Sequence, residues 1–330
     1  MNINLKKLTV IFLLILSFTI PLIISDPYFL GIIVVCLVNS ILALSIGIIV
    51  RTGLLSFGHA AFVAIGGYTS ALLVMKLHLS FWLALPAAAI MAAIVAMAIG
   101  YIILRVPGIG FILLTFAFGE MIRLILVHWT DLTNGVTGIS NIPPPSLPGI
   151  DFPARHHYYY LILFLLIITA LVMHRLDISR PGRAMRAIAQ SGALAESIGI
   201  RLTGYKLLAF TVSGFFAGMS GSFMAHYLYV LAPEMFTFFI SLYALIYVVV
   251  GGMGSAVAGP IIGAFILSTA SEMIRGLKTF APIIYAIVVI LVIFFLPGGL
   301  LTLPEKLLGL LRRLPMFKVK TVKHTSSSYK

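Results

Sequence analysis

His174–Lys206, HRLDISRPGRAMRAIAQSGALAESIGIRLTGYK, is the one long polar interruption in an otherwise apolar chain. It carries six Lys/Arg against two acids, Asp177 and Glu196, and lies between two apolar runs of membrane-spanning length. Within it, GRAMRAIAQSGALAESIGI reads as a short amphipathic helix followed by a Gly turn. Pro181 and Gly182 break the chain ahead of that helix. Ala184, Ala187 and Ile188 form its apolar stripe, Arg183 and Arg186 point to the other side, and Glu196, Gly199 and Ile200 close it. A basic helix lying on lipid is the alternative, although this segment is short, Ala-rich and without bulky anchors. A rigid polar element on a membrane protein with no catalytic motif of its own reads as a docking site for something that pushes on it.

The rest of the chain decides the fold class. Hydrophobic residues make up 61% of the 330 and charged residues 9%, with a mean hydropathy of +1.14. Soluble domains carry about 25% charged residues, and no soluble fold hides this much apolar surface. The class is therefore all-α, a polytopic transmembrane helical bundle. The formal charge of +13 does not call for nucleic acid, because the basic residues sit in short loops and at the C-terminal end. Cys36 is alone in an apolar run, so neither a disulfide framework nor a Cys-based metal site is expected.

On a ruler of about 20 apolar residues per crossing, ten spans are expected: 8–25, 28–49, 54–75, 81–104, 108–127, 158–173, 207–228, 238–254, 257–274 and 281–298. The first is read as uncleaved, since a second apolar run follows within a few residues. With the N-terminus in the cytoplasm, seventeen of the 22 Lys/Arg fall on the cytoplasmic side and four outside, which places both termini inside. The eighth and ninth spans are separated only by GGMGSAVAG, Gly251–Gly259, and are alternatively one broken or re-entrant element. Residues 128–157, with IPPPSLPGIDFP, form a folded external loop in which Pro excludes helix. One permease-like domain, 1–303, then includes the 174–206 loop, and 304–330 is a basic cytoplasmic tail attracted to anionic lipid or simply solvated.

There is no G-x-x-x-x-G-K-[ST] phosphate loop, no G-x-S-x-G elbow and no metal-ligand spacing of His, Cys, Asp and Glu. No cofactor is expected. GLLSFGHAAFVAIGGYTSALL, Gly53–Leu73, is rich in small residues that let helices approach closely. Its polar lead-in, Ser56, Gly58 and His59, also suits a discontinuous helix lining a cavity. In TFAFGEMIRLIL, Thr115–Leu126, Glu120 and Arg123 share a helix face and pair, either as a functional site or as a structural contact. AFTVSGFFAGMSGSFMA holds Ser213 and the Gly214/Gly218 GxxxG, first a packing face and second a pore-lining one. Gly259 and Gly263 read the same way, with a kink at Pro260.

Taken in order, GLLSFGHAAFVAIGGYTSALL, LTFAFGEMIRLIL with LTNGVTGISNIP, SRPGRAMRAIAQSGALAESIGI, KLLAFTVSGFFAGMSGSF, VVVGGMGSAVAGPIIGAFIL and FLPGGLL resemble the permease subunits of branched-chain amino acid ABC importers, over roughly residues 30–300. The SFGHAAF version looks closest to the M-type subunit; RVPGIGFILL and Gly67 depart from the family's usual residues. The resemblance implies a bacterial or archaeal inner (cell) membrane. It also implies a homologous H-type permease as partner, two cytoplasmic ATPase subunits that bind and hydrolyse ATP, and an extracytoplasmic substrate-binding protein. The helix beginning at Gly182 corresponds to the coupling helix, with Gly182, Arg183, Arg186, Ala187, Glu196 and Gly199 as its contacts. Ser56, Gly58, His59, Thr115, Glu120, Arg123 and Ser213 are the candidates for the path. Related permeases carry urea, amides or other small amino acids, so Leu, Ile and Val are the first expectation and these the second. An ion-coupled carrier and a non-transporting scaffold are rival classes; the former needs buried acids, of which Glu120 is the one on offer.

Overall fold

The computed structural model describes residues 17–21, 26–147, 150–151, 155–274, 281–296 and 298–302. Most of the first expected span, 8–25, and the tail 304–330 lie outside the described residues. Among those described, six helices are long and apolar enough to cross a membrane: α1 (Pro27–Val50), α2 (His59–Leu77), α3 (Phe81–Ile103), α4 (Ile109–His128), α6 (Arg155–Ile178) and α9 (Leu202–Leu228). A single turn, α5 (Thr130–Thr133), follows α4. Two short helices, α7 (Arg180–Gln190) and α8 (Gly192–Ser197), lie between α6 and α9. The chain continues through α10 (Phe238–Gly251), α11 (Ala258–Ile274) and α12 (Ala281–Phe295).

Among the described residues, the expected spans 238–254 and 257–274 appear as helices shorter than a full crossing. Helix α10 has 14 residues and α11 has 17, and at 1.5 Å per residue the former rises only about 21 Å. The cause is a break at Gly252, whose φ of 116° no other residue tolerates well. The two helices fold back on each other as a hairpin, because Cβ atoms at Gly251, Gly259 and Gly263 would collide with backbone of the facing helix. Pro260 lies in the first turn of α11, where its missing N–H costs nothing, and not at a kink in its middle.

Helix α9 is the central mast, packed by α3, α2 and α1. Its small residues are the reason. A Cβ at Gly214 would meet Ala92 and Ala96 of α3, and one at Gly218 would meet Ala88 and Ala92. On the α2 side, Gly66 abuts the Gly218 backbone and Gly221 abuts Val63. Dispersion between closely approaching backbones replaces the hydrophobic drive that lipid does not provide. The GxxxG reading as a packing face agrees with this.

Asp26 caps α1 by accepting from Tyr28 N at 2.8 Å, ahead of Pro27 in the first turn. Between α4 and α6 the described residues form the α5 turn, a short 3-10 turn and two-residue strands. Strand β1 (Ile139–Ser140) pairs antiparallel with β4 (Val230–Leu231), just beyond α9. A second two-residue pair, β2 (Ser146–Leu147) with β3 (Ile150–Asp151), lies within the same stretch.

Candidate functional site

The polar loop is braced by one carboxylate. Asp177 Oδ1, at the end of α6, accepts from Arg186 Nη1 at 2.6 Å and lies 3.7 Å from Arg51 Nε, beyond the end of α1. Arg186 Nη1 also donates to the Asp177 carbonyl at 2.8 Å, and Arg51 Nη2 donates to the Gly254 carbonyl at 3.2 Å. Helices α1, α6 and α7 and the turn after α10 therefore meet at a single ionic hub. Burial lowers the Arg51 pKa from its ordinary value, and the neighbouring Asp177 charge opposes that shift.

Helix α7 begins earlier than its sequence suggests. Ser179 is the N-cap, accepting from Gly182 N at 3.4 Å, and Pro181 and Gly182 sit in the first turn and do not break the chain before it. A Cβ at Gly182 would strike the carbonyls of Leu176 and Asp177, so Gly is what lets α7 fold back onto α6. The single expected helix is also two. Ser191 is extended, at φ −161° and ψ 109°, and caps α8 by accepting from Leu194 N at 3.3 Å.

This division changes which side chains face outward. The apolar stripe of α7, Ala184, Met185 and Ile188, is buried in the chain's own body, with Ala187 half-buried. Arg183 is exposed and donates to the Ile178 carbonyl at 2.8 Å. The most exposed large apolar residues of the loop are Leu194, 67% exposed, and Ile198, 71% exposed, on and just after α8. Glu196 and Gly199, at φ 85°, stand beside them, next to a shallow cleft of about 400 Å³ lined by Gly199, Ile200, Arg201, Gly204, Tyr205 and Leu208.

The candidate path residues divide into two groups. Ser56, His59, Thr115 and Ser213 are fully buried, and Gly58 with them. His59 Nε2 and Ser213 Oγ are 2.6 Å apart, linking α2 to α9. Thr115 Oγ accepts from Phe57 N at 3.1 Å, Ser56 Oγ accepts from Gly58 N at 3.3 Å, and Ser241 Oγ of α10 accepts from Ala60 N at 2.8 Å. Phe57 N and Ala60 N at the start of α2 are thus met by side chains of α4 and α10, and Gly58 N by Ser56 of the lead-in itself. His59 Nδ1 is buried with no partner among the described residues. The second group, Glu120 and Arg123, pairs at 2.7 Å, and both side chains are about a quarter exposed on α4.

Sequence reasoning missed Asp177 and Arg51 as a hub, Ser241 as a cap, and a third polar link at the other end of α9. There His226 Nδ1 is 2.7 Å from the Pro143 carbonyl, which fixes it as the donor and leaves Nε2 to accept from Ser70 Oγ at 2.9 Å. Tyr158 Oη donates to the His226 carbonyl at 2.7 Å. The 128–157 loop is thereby tied to α9.

The comparisons with known proteins agree with this architecture. The family model described as "Branched-chain amino acid transport system / permease component" matches residues 28–297. The Escherichia coli (strain K12) protein named "High-affinity branched-chain amino acid transport system permease protein LivM" is 33% identical over 92% of this chain and 77% of its own. Its Salmonella typhimurium counterpart is 32% identical over the same shares. The Escherichia coli (strain K12) permease protein LivH of the same transport system is 28% identical over 77% of this chain and 87% of its own. No solved structure matches significantly. With the match running from the start of α1 past the end of α12, the chain belongs to the branched-chain amino acid transport system permease component family.

Proposed function

We propose that this chain is the M-type permease subunit of an ATP-driven importer of branched-chain amino acids. It pairs with a homologous H-type permease, and an extracytoplasmic binding protein delivers the substrate. The likeness to both LivM and LivH supports a pair of related subunits. Two cytoplasmic ATPases supply the hydrolysis, since this chain holds no phosphate loop.

The observation that carries the reading is the mechanical character of the 174–206 loop. Helix α7 is pinned to α6 and α1 through Asp177, while α8 offers Leu194 and Ile198 to solvent. Exposed apolar groups on a rigid support are what a partner groove grips. In this reading α8 inserts into the ATPase, Arg183, Glu196 and Gly199 flank it, and Arg186 acts as the brace. A push on α8 then reaches α1 and the α10–α11 hairpin through the hub, rocking the bundle between outward and inward states. Leucine, isoleucine and valine suit a bundle that is largely apolar inside, with few charged groups.

Copurification tests the assignment. The tagged chain, expressed beside its genomic neighbours, is expected to bring down a second permease and ATPase subunits. Leu194→Asp with Ile198→Asp places two charges in the gripped surface. The double variant should lose at least about 90% of the bound ATPase, equivalent to ~1.4 kcal/mol or more, while retaining the second permease. A chain that purifies alone and transports unaided contradicts the proposal.

A further inference from the structure

We propose that His226 is a positioning residue of the importer. It clamps the 128–157 loop to the end of α9, so that a load placed on the loop by the substrate-binding protein travels along α9 to α8. The inference rests on the importer reading above and adds a second route to it, separate from the Asp177 hub.

His226 lies in the last turn of α9 and is fully buried. Four other parts of the chain meet on it. Its Nδ1 donates to the Pro143 carbonyl of the loop at 2.7 Å, and its Nε2 accepts from Ser70 Oγ of α2 at 2.9 Å. Its ring stands edge-on to that of Phe81, the first residue of α3, with centroids 4.8 Å apart. Its carbonyl accepts from Tyr158 Oη of α6 at 2.7 Å. An apolar side chain would serve packing alone. A buried imidazole with both nitrogens satisfied does more: it fixes one arrangement of its neighbours, because any other leaves a buried polar atom unpaired.

The loop meets α9 along a continuous seam. Next to Pro143, Ile142 N donates to the Tyr229 carbonyl at 3.1 Å. Ser140 and Ile139 then pair with Val230 and Leu231. At Gly138, with φ of 73°, an added Cβ would strike the Leu231 carbonyl, so the two backbones already touch. Loop residues 138–143 and residues 226–231 therefore move together, and His226 is the member of the seam that belongs to the helix.

Helix α9 is able to carry the load. Its 27 residues rise about 40 Å. Gly214, Gly218 and Gly221 seat it directly against backbone and Cβ atoms of α2 and α3, with no gap for it to slip in. At its far end, a Cβ on Gly192 of α8 would lie 3.6 Å from Leu202 Cδ1. Coupling between distant sites runs through packed side chains, hydrogen-bond networks and rigid elements, and here all three follow one another along a single helix. In the importer reading α8 sits in the ATPase, and the loop lies at the opposite end of the bundle, where substrate is delivered.

The test uses the whole importer in proteoliposomes and reads ATP hydrolysis with and without leucine-loaded binding protein. His226→Phe keeps a ring against Phe81 and removes both ring hydrogen bonds. Its stimulation by the binding protein should fall at least about fivefold, with basal hydrolysis within about twofold of the parent. Two amides then separate the bonds. His226→Asn places its NH2 near the position of Nδ1 and keeps the loop, whereas His226→Gln reaches toward Ser70 and gives the loop up. The Asn variant should regain most of the stimulation and the Gln variant little. This contrast also decides the matter if the Phe variant fails to assemble. Parent-level stimulation in His226→Phe would overturn the clamp, and so would equal stimulation in the two amide variants. Loss of assembly in all three would make His226 a folding residue only and overturn it as well. If loaded binding protein does not stimulate the unaltered complex, the importer reading falls and takes the clamp with it.

Discussion

Gly218→Leu is expected to leave almost no folded subunit in the membrane. Helix α9 at this point is wedged between two neighbours. Its Cα side meets Ala88 and Ala92 of α3, and its backbone meets Gly66 of α2. No rotamer escapes, because the obstacle on each side is backbone or a Cβ and not the end of a flexible side chain. Overpacking costs about 1–3 kcal/mol where side chains yield and more where backbones must part, against a total stability of about 5–15 kcal/mol. Gly204→Ala on the same helix is the matched control, since nothing lies within 4 Å of the added Cβ. Size-exclusion profiles and thermal unfolding in detergent should show the Gly218 variant aggregated or melting far below the parent, and the Gly204 variant unchanged. A Gly218→Leu protein with the parent's melting temperature would contradict the α2–α9–α3 packing.

Asp177→Ala is expected to separate ATP hydrolysis from movement of solute. The substitution removes the carboxylate shared by Arg186 and Arg51, so α7 loses its ionic link to α1 and keeps only the bond from Arg186 to the main-chain carbonyl of residue 177, while its own apolar face stays buried. The charge-assisted hydrogen bond from Arg186 contributes about 1.5–3 kcal/mol. A loop released by that amount still binds an ATPase but transmits its closure poorly. Uptake per ATP consumed should fall about tenfold, equivalent to ~1.4 kcal/mol, with hydrolysis by the complex held within about twofold. Arg186→Ala should show the same direction and at least as large a fall, because it removes α7's own donor to both the carboxylate and the carbonyl of Asp177. An unchanged ratio of solute to ATP in Asp177→Ala would remove the hub from the coupling route.

Much of the bundle is legible in the sequence because the bilayer imposes a length. The spans expected at 28–49, 81–104 and 108–127 appear as α1, α3 and α4 with ends within a residue or two. The small-residue stripe of α9 is likewise legible, since three- and four-residue spacing of Gly and Ser carries its packing logic within one helix. Local errors arose where one residue has two meanings. Pro181 and Pro260 read as breaker and kink but occupy first turns, and the cap at Ser179, three residues before Gly182, was the available signal for the former. The Ser191-Gly192 pair is a turn signal that the surrounding Ala-rich run masked, and it splits the loop helix. For the site, the Glu120–Arg123 pair is visible from i,i+3 spacing. The His59–Ser213 and Arg51–Asp177 links are not, because they join residues more than a hundred positions apart and depend on how the helices are arranged. The links of Thr115 to Phe57 N and of Ser241 to Ala60 N are hidden from the sequence for the same reason.

The central claim is tested most directly by uptake of radiolabelled leucine into vesicles carrying the chain with its genomic neighbours and a supplied binding protein. The account predicts uptake that requires ATP, survives an ionophore and is competed by isoleucine and valine. ATP-dependent uptake of a urea, an amide or another amino acid in place of leucine would keep the machine and contradict the cargo. Uptake that ignores ATP and collapses with the ionophore would contradict the account itself.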